Sequence, residues 1–537
     1  MKTWRRKGLA LIFALALMVS AIPFGTVTAT AAVSGDFEYS VISEEEKICE
    51  ITKYKGTATQ LEIPSQLDSY TVTGIGREAF RDCTSLTDIT IPDSVTKIHS
   101  DAFKRCSSLT GIIIPDSVTE ISDYIFSDCT SLESVTLSKN TADIGNRAFF
   151  RCSSLKSIII PDGVTTIGEY AFYGCSALAS IIIPDSVTKI YREVFGDTAY
   201  YNTDSNWENG VLYIGNHLIR ANNTVTGKCT VKEGTKVISG FAFEDCASLT
   251  NLSLPNSVKA LGSNTFRNCT SLESIIIPDG VTEIGINSFY KCTSLKNIMI
   301  PDSVGKIGTG AFYGCNMLTD ITVPDAVTEI DKYVFCGCSS LKSIRIPDGV
   351  KSIGEQAFAC CYSLESINIP YGVTKIGEVA FGFCTSLTNV TIPESVSVIE
   401  RRAFNECNSL KSIKIPHSVT SIEEDTFWRC TSLESVIIPR SVTQIGNGSF
   451  FDCNNLTVYG YGDSYAQTYA NESNLPFVTF GDANDDGIID ANDYAIVRSY
   501  VMCETALTEE QWIAADFNCD GTVDVFDVIE LDIYLNS

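Results

Sequence analysis

The chain is 537 residues long, with 44% hydrophobic residues, 19% charged residues and a formal net charge of -26. This length exceeds what one compact globule usually holds, so we expect several modules or an elongated repeat. The negative charge argues against nucleic acid or an anionic membrane as a partner. A metal ion or a cationic partner fits it better.

The first residues are arranged like a secretory signal peptide. Basic residues between positions 2 and 7 precede an apolar run from Leu9 to Ala21, and small residues follow at Ala29 and Ala31. The run is shorter than the roughly 20 residues that a membrane-spanning helix needs. We therefore predict that residues 1–31 are a signal peptide, and that the mature chain is secreted without direct insertion into a membrane.

Most of the chain repeats every 23 residues. Cysteine recurs at this interval over Cys83–Cys175 and Cys246–Cys453, and one phenylalanine occurs in each of sixteen units over Phe80–Phe195 and Phe243–Phe450. Identical apolar residues at a fixed spacing predict a coil in which each unit stacks on the same residues of its neighbours. The sequence thus predicts a repeat solenoid.

Within a unit, the LxxIxIP segment predicts a short parallel strand that ends at the proline, and AFxxC predicts a tight turn or a short 3₁₀ segment. The unit LxxIxIPxxVxxIgxxAFxxC resembles the leucine-rich repeat of bacterial BspA-like surface proteins over residues 60–456. The resemblance implies a non-catalytic, extracellular interaction module. We expect 32–59 to form an N-terminal cap and 457–480 a C-terminal cap and linker, with a short helix from about Ser464 followed by a strand.

The repeat is interrupted once, at residues 196–229, where Thr198 occupies a cysteine position. Two β-rich runs surround Gly215 and Asn216, which predicts a hairpin. Two interpretations stay open for this insertion. A stacked structural insert is favoured over a specific binding loop, because long loops are functional in only some proteins.

Fifteen of the 21 cysteines fall in the repeating column. Neighbouring positions of such a column have poor geometry for disulfides, so we predict buried thiols, which favours a reducing habitat. The close pair Cys336 and Cys338 and the adjacent Cys360 and Cys361 each lack the second pair in sequence that a zinc site would require. The three histidines lack any catalytic motif and are interpreted as solvated surface residues, so we predict no catalytic residue.

The outward strand positions provide a candidate ligand surface. The residue two before each strand-ending proline is often large and apolar, and small polar residues flank it. This stripe could hold a protein or polysaccharide ligand, although the β-propensity of an exposed strand explains it equally well. The ligand-face candidates are Ile113, Ile159, Ile182, Ile276, Met299, Arg345 and Lys414.

Two acidic loops near the C-terminus have the spacing of calcium-binding loops. Oxygen donors fall at loop positions 1, 3, 5, 7, 9 and 12, with a glycine, Gly487 or Gly521, at position 6, where the turn is sharp. Together they predict two calcium ions. The first set is Asp482, Asn484, Asp486, the backbone carbonyl of Ile488, Asp490 and Asp493, and the second is Asp516, Asn518, Asp520, Thr522, Asp524 and Asp527.

The stretch before the first loop is strand-like, and position 12 is aspartate in both loops, whereas an ordinary EF-hand has a helix and a glutamate there. The duplicated loop and helix over 481–537 resembles the type I dockerin of cellulosomes. The predicted helices are Tyr494–Val501 and Val528–Leu535, and Thr508 and Gln511 predict a capping box on a linking helix.

The dockerin resemblance implies a cohesin module of a scaffoldin as partner. In that family, loop positions 10 and 11 select the cohesin, which here implies contacts from Ala491, Asn492, Val525 and Phe526, with Arg498 as an added charge contact. The pairs differ between the two loops and from the common Ser/Thr pair, so the partner class and a two-way docking symmetry stay open.

The predicted function is a secreted, non-enzymatic protein whose repeats bind a protein or carbohydrate. Its dockerin attaches it to a cellulosome-like scaffold, so it is extracellular or held at the cell surface through that complex. Two alternatives remain. One is a carbohydrate-active enzyme or protease inhibitor within the complex, and the other is a structural spacer without a ligand.

Overall fold

A computed structural model describes residues 32–484, 486, 488–518 and 521–536. The predicted signal peptide lies outside the described residues. The repeats form a parallel-strand β-solenoid of about 19 turns, and a small helical region follows it. The turns beyond the sixteen phenylalanine-bearing units include those at the C-terminal end, where strands Thr457–Gly460 and Phe477–Thr479 follow the last unit.

The first row of strands comes from the predicted LxxIxIP segments. The row is divided into several short parallel sheets, and paired strands are one turn apart, so that Ser157 lies opposite Ser180 and Ile159 opposite Ile182. In the three-residue strands of the repeats, such as Ser157–Ile159, the central residue points into the core and its two neighbours point outward, as the two-residue period of a strand requires. The row consists of Gln60–Glu62, Asp88–Thr90, Gly111–Ile113, Ser134–Thr136, Ser157–Ile159, Ser180–Ile182, Gly227–Thr230, Leu249–Ser253, Ser274–Ile276, Asn297–Met299, Asp320–Thr322, Ser343–Arg345, Ser366–Asn368, Asn389–Thr391, Ser412–Lys414, Ser435–Ile437, Thr457–Gly460 and Phe477–Thr479.

A second row of two-residue strands forms where the chain turns back, and the AFxxC segments that follow are turns, as predicted. These turns use a left-handed residue before the cysteine, such as Asp82 at φ 61° or Gly174 at φ 74°. The row consists of Lys97–Ile98, Glu120–Ile121, Asp143–Ile144, Thr166–Ile167, Lys189–Ile190, Val237–Ile238, Ala260–Leu261, Glu283–Ile284, Lys306–Ile307, Ser352–Ile353, Lys375–Ile376, Val398–Ile399, Ser421–Ile422 and Gln444–Ile445.

The N-terminal cap covers the first turn with its own strands. Phe37–Ser43 pairs antiparallel with Ile48–Tyr54, which then pairs in parallel with Tyr70–Ile75. The Tyr54 ring continues the phenylalanine column, with its centroid 5.4 Å from that of Phe80. The strands within the predicted cap are Ala32–Ser34, Phe37–Ser43 and Ile48–Tyr54, and those of the first turn beyond it are Gln66–Leu67 and Tyr70–Ile75.

Two columns fill the centre of the solenoid. Neighbouring phenylalanine rings stack with centroids 5.1 to 5.6 Å apart. Beside them, thirteen cysteine thiols each donate to the carbonyl of the phenylalanine 26 residues earlier, at 3.1 to 3.3 Å. The described cysteines are free thiols. Burial raises the pKa of thiols such as Cys152 and Cys292 well above their usual range, which keeps them protonated donors.

The insertion contains an antiparallel hairpin, Val211–Ile214 with His217–Ala221, preceded by a 3₁₀ turn at Asp204–Asn206 and the strand Trp207–Glu208. Both hairpin strands lie between the two halves of the solenoid. His217 is fully buried, so its interpretation as a solvated residue is wrong. Its ring nitrogens lie 3.3 Å from the Ile214 carbonyl and 3.1 Å from the Val187 carbonyl, and burial lowers its pKa.

Four helices occur in the C-terminal part of the described chain. The first, α1, belongs to the cap and begins after Ser464, whose hydroxyl accepts from the Gln467 amide, so the predicted short helix is confirmed. The other three follow the cap. The helices are α1 (Tyr465–Glu472), α2 (Ala491–Val501), α3 (Glu509–Ala515) and α4 (Val525–Leu535).

Candidate functional site

The first acidic loop is held by its own carboxylates. One Asp493 oxygen accepts from the Asn484 amide at 3.1 Å and the other accepts from the Asp490 amide at 2.8 Å. Asp490 in turn accepts from the Asn492 amide at 2.6 Å, which completes a capping box at the start of α2. Loop positions 9 and 12 therefore organise the exit helix as well as offering oxygen donors.

The second loop repeats this arrangement 34 residues later. Asp527 accepts from the Asn518 amide at 3.1 Å and from the Asp524 amide at 2.8 Å, and Asp524 accepts from the Phe526 amide at 2.7 Å. A capping box starts α4 in the same way. The hydrogen bonds that positions 9 and 12 accept are thus the same in both loops.

The donor set of both loops fits calcium. Carboxylate, amide and carbonyl oxygens are the ligands that this hard cation prefers. The four carboxylates at positions 1 and 12 are nearly or fully buried, which costs free energy when they are ionised unless a cation or hydrogen bonds compensate for the lost water. Those four are Asp482, Asp493, Asp516 and Asp527.

The electrostatics of the first loop agree with this fit. Burial raises the pKa of the Asp493 carboxyl, and the charge of Asp482 raises it further, while backbone amides act in the opposite direction. Within the described residues, no three His, Cys, Asp or Glu side chains form a ready metal cluster. Two predicted loop residues, Gly487 and Asp520, lie outside the described part of the chain.

The helices that leave the loops begin three residues earlier than predicted. The sequence predicted Tyr494–Val501 and Val528–Leu535, whereas α2 begins at Ala491 and α4 at Val525. Sequence reasoning treated Asp490 and Asp524 as ligands and missed their role as N-caps. Aspartate at both N-cap and N3 was the available signal.

The capping box predicted on the linking helix is confirmed. Thr508 accepts from the Gln511 amide at 3.2 Å, and Gln511 accepts from the Thr508 amide at 3.1 Å, at the start of α3.

The residues predicted to contact a cohesin lie on the exit helices. Ala491 and Asn492 form the first turn of α2, Val525 and Phe526 form the first turn of α4, and all four are exposed. Arg498 is also exposed, about two turns further along α2. The structure therefore leaves these side chains accessible in two equivalent places.

The segment predicted as cap and linker contacts the last repeat on one side and the second acidic loop on the other. The hydroxyl of Tyr461 donates to the Phe517 carbonyl at 2.9 Å, and its ring meets those of Phe480 and Phe517 edge-on at centroid distances of 5.2 and 6.0 Å. Phe517 is position 2 of the second loop. At Gly481, φ is +92° and a Cβ would lie 2.8 Å from the Phe517 ring, which requires glycine there. Sequence patterns gave no signal for this junction.

The predicted ligand-face residues all lie on the first row of strands. Five are exposed apolar side chains with 54 to 69% of their surface accessible: Ile113, Ile159, Ile182, Ile276 and Met299. The insertion separates them into a group of three and a group of two. The charged candidates are paired, since Arg345 lies 2.8 Å from Asp325 and Lys414 lies 4.0 Å from Glu394.

A family profile described as BspA type Leucine rich repeat region matches residues 73–202, 213–342 and 328–457. The chain belongs to this family. A profile for the Dockerin type I domain matches residues 480–536. BspA-type repeats and type I dockerins are non-catalytic modules typical of extracellular or cell-surface proteins, and the type I dockerin is a calcium-binding module that implies a cohesin partner.

Two solved structures similar to this BspA-type chain come from bacteria. A leucine-rich repeat protein from Bacteroides ovatus is 28% identical, with 84% of this chain and 99% of the other covered and a TM-score of 0.38. A leucine rich cell surface protein from Faecalibacterium prausnitzii is 26% identical, with 82% and 97% covered and a TM-score of 0.30. No curated protein matches the chain. In the described residues, no helix has the length and apolar character to cross a membrane.

Proposed function

We propose that this protein is a secreted, non-catalytic interaction protein that is attached by its dockerin to a cohesin module of a cellulosome-like scaffold. One observation supports this most strongly. Two equivalent loop-and-helix units follow the solenoid, each with two buried carboxylates at positions 1 and 12. Such pairs are stable when a bound cation balances them.

Two calcium ions would occupy these loops. The first is assigned to Asp482, Asn484, Asp486, the Ile488 carbonyl, Asp490 and Asp493, and the second to Asp516, Asn518, Asp520, Thr522, Asp524 and Asp527. Calcium supplies the positive charge that fixes the loops. The capping aspartates then carry that order into α2 and α4, because the same carboxylates hold the first helical turns.

The test is capture of a cohesin by the full mature chain. The source organism's secreted proteins are passed over the immobilised chain with calcium or with a chelator, and bound proteins are identified by mass spectrometry. We expect a cohesin-bearing scaffold protein with calcium only. The double variant Asp482→Ala and Asp516→Ala should lose it, whereas the exposed repeat residues Asp302→Ala and Asp348→Ala serve as a charge-matched control. Equal capture with chelator would refute the proposal.

For the repeats, we propose that the strand face binds a protein or polysaccharide. Five large apolar side chains at one register position of the solenoid support this, because water-exposed apolar stripes often mark interaction surfaces. Arrays of plant polysaccharides and of host and microbial proteins provide the test. Ile159→Ser with Ile182→Ser should weaken any ligand found, and unchanged binding would remove this face from consideration.

A further inference from the structure

The last helix of the chain exposes a row of large apolar side chains. Val525, Phe526, Ile529 and Ile533 are 52, 60, 47 and 61% exposed. Residues four apart lie on one face of a helix, so Val525, Ile529 and Ile533 align and Phe526 lies beside them. We call these four residues the α4 stripe.

The equivalent surface of α2 has the same geometry and a different chemistry. Both helices have 11 residues and begin with the same capping box. The residues 34 positions before the α4 stripe are small or polar: Ala491, Asn492, Ala495 and Ser499. The internal duplication therefore gives two helices of similar backbone structure, and a partner can distinguish them by their exposed side chains.

The opposite side of α4 is already occupied. Leu531 is fully buried in the core that joins the helices to the cap. The Tyr534 ring lies 5.6 Å from that of Phe517, and Tyr534 also lines a cavity with Arg440 and Tyr465 of the solenoid end. That side of α4 thus faces the shared core and the end of the solenoid, and the stripe is open.

We propose that a cohesin binds this chain in one orientation, with the α4 stripe as its anchor and Phe526 as the main contact. This inference rests on the proposed function and names the surface that performs it. Burying large apolar side chains drives association, and a phenylalanine with apolar neighbours is a typical anchor. The α2 surface lacks such an anchor.

The charges beside the stripe define its partner further. Glu530 and Asp532 are exposed next to it. A complementary cohesin surface would be apolar at its centre with lysine or arginine at its rim. A second copy of this chain fits less well, because two α4 helices would bring these carboxylates together.

Two matched double variants test the inference in the full chain. Phe526→Ala with Ile533→Ala removes the anchor from α4, and Asn492→Ala with Ser499→Ala changes the equivalent positions of α2. Each is titrated with a panel of recombinant type I cohesins in saturating calcium, and the dissociation constants are measured by calorimetry. We expect the α4 variant to bind at least about 100-fold more weakly and the α2 variant to change by less than about threefold.

Circular dichroism with and without calcium shows whether each variant keeps the wild-type metal response. If both variants lose affinity equally, or if the α2 variant loses more, single-orientation docking on α4 is refuted. If the α4 variant abolishes a dimer seen by light scattering but still binds cohesin normally, the stripe binds a second copy and the inference is wrong. A wild-type chain that binds no cohesin in calcium refutes the docking function itself, whichever variant is compared.

Discussion

Removing the Tyr461 side chain should weaken calcium binding to the second loop, although Tyr461 belongs to the solenoid cap. Its hydroxyl donates to the carbonyl of Phe517, one residue after the first ligand of that loop, and its ring contacts the Phe517 ring. Calcium orders a loop that is otherwise loose, so contacts made by the ordered loop add to the binding free energy. Loss of the cap contact therefore appears as lost affinity.

The magnitude follows from the contacts. Tyr461→Phe removes one hydrogen bond, a net loss of about 1 kcal/mol, or about fivefold in affinity. Tyr461→Ala also removes the ring contacts with Phe480 and Phe517, so the total reaches about 3 kcal/mol, or about a hundredfold. These are upper values, because a fraction of the contacts persists in the metal-free chain.

The assay is calorimetric titration of calcium into the chelator-treated full chain. Tyr465→Phe is the control, since Tyr465 lies on α1 and is 40% exposed. We expect the order wild type and Tyr465→Phe, then Tyr461→Phe, then Tyr461→Ala. If Tyr461→Ala binds both ions as tightly as the wild type and melts at the same temperature, the junction does not couple the solenoid to the loop.

Three further predictions concern the solenoid. Phe312→Ala should lower the free energy of unfolding by about 3–5 kcal/mol in urea titrations, because its ring is fully buried. Tyr313→Ala should lower it far less, and similar losses for the two variants would contradict the stacked column. Iodoacetamide at pH 8 should modify the exposed Cys503 and spare Cys152, because burial raises the pKa of the Cys152 thiol. Peptide mass spectrometry measures the labelling, and early labelling of Cys152 would contradict the thiol column. His217→Leu should destabilise the chain by about 1–3 kcal/mol, since the one N–H of the neutral imidazole no longer donates to a buried carbonyl, and an unchanged melting temperature would show that this contact contributes nothing.

Local periodicity explains why much of the fold could be predicted. The 23-residue interval places each phenylalanine and cysteine on the same residue of the next turn. The structure predicted for one unit therefore applies to all of them. The fold class, the strands and the two exit helices followed from it or from the loop motif. Contacts between distant segments left no such signature, and the Tyr461–Phe517 junction and the burial of His217 are therefore visible only in three dimensions.

The loops show a related limit. The spacing of aspartates predicts oxygen donors, but the same carboxylates at Asp490 and Asp524 also cap helices, and a single-role interpretation placed both helix starts too late. In the same way, the sequence placed Ala491 and Val525 at the same position of the two loops and left the two-way docking symmetry open. The exposed residues further along each helix make the surface of α4 apolar and that of α2 small or polar. This difference can be recognised only when the structure shows which face of each helix is exposed.

The hairpin of the insertion explains how a break in the repeat leaves the solenoid continuous. Its strands send alternate side chains to opposite sides, with Leu212 and Ile214 in the core of the preceding turns and Val211 and Leu218 in the core of the following turns. A strand buried on both faces needs apolar residues at every position, and Val211–Ile214 has them. The hairpin thus packs against the solenoid on both of its faces, with one face against the turns before the insertion and the other against the turns after it. The repeats therefore form one continuous array up to the dockerin only if both faces of the hairpin are packed. A hairpin packed on one face alone would leave half of the array with an exposed core.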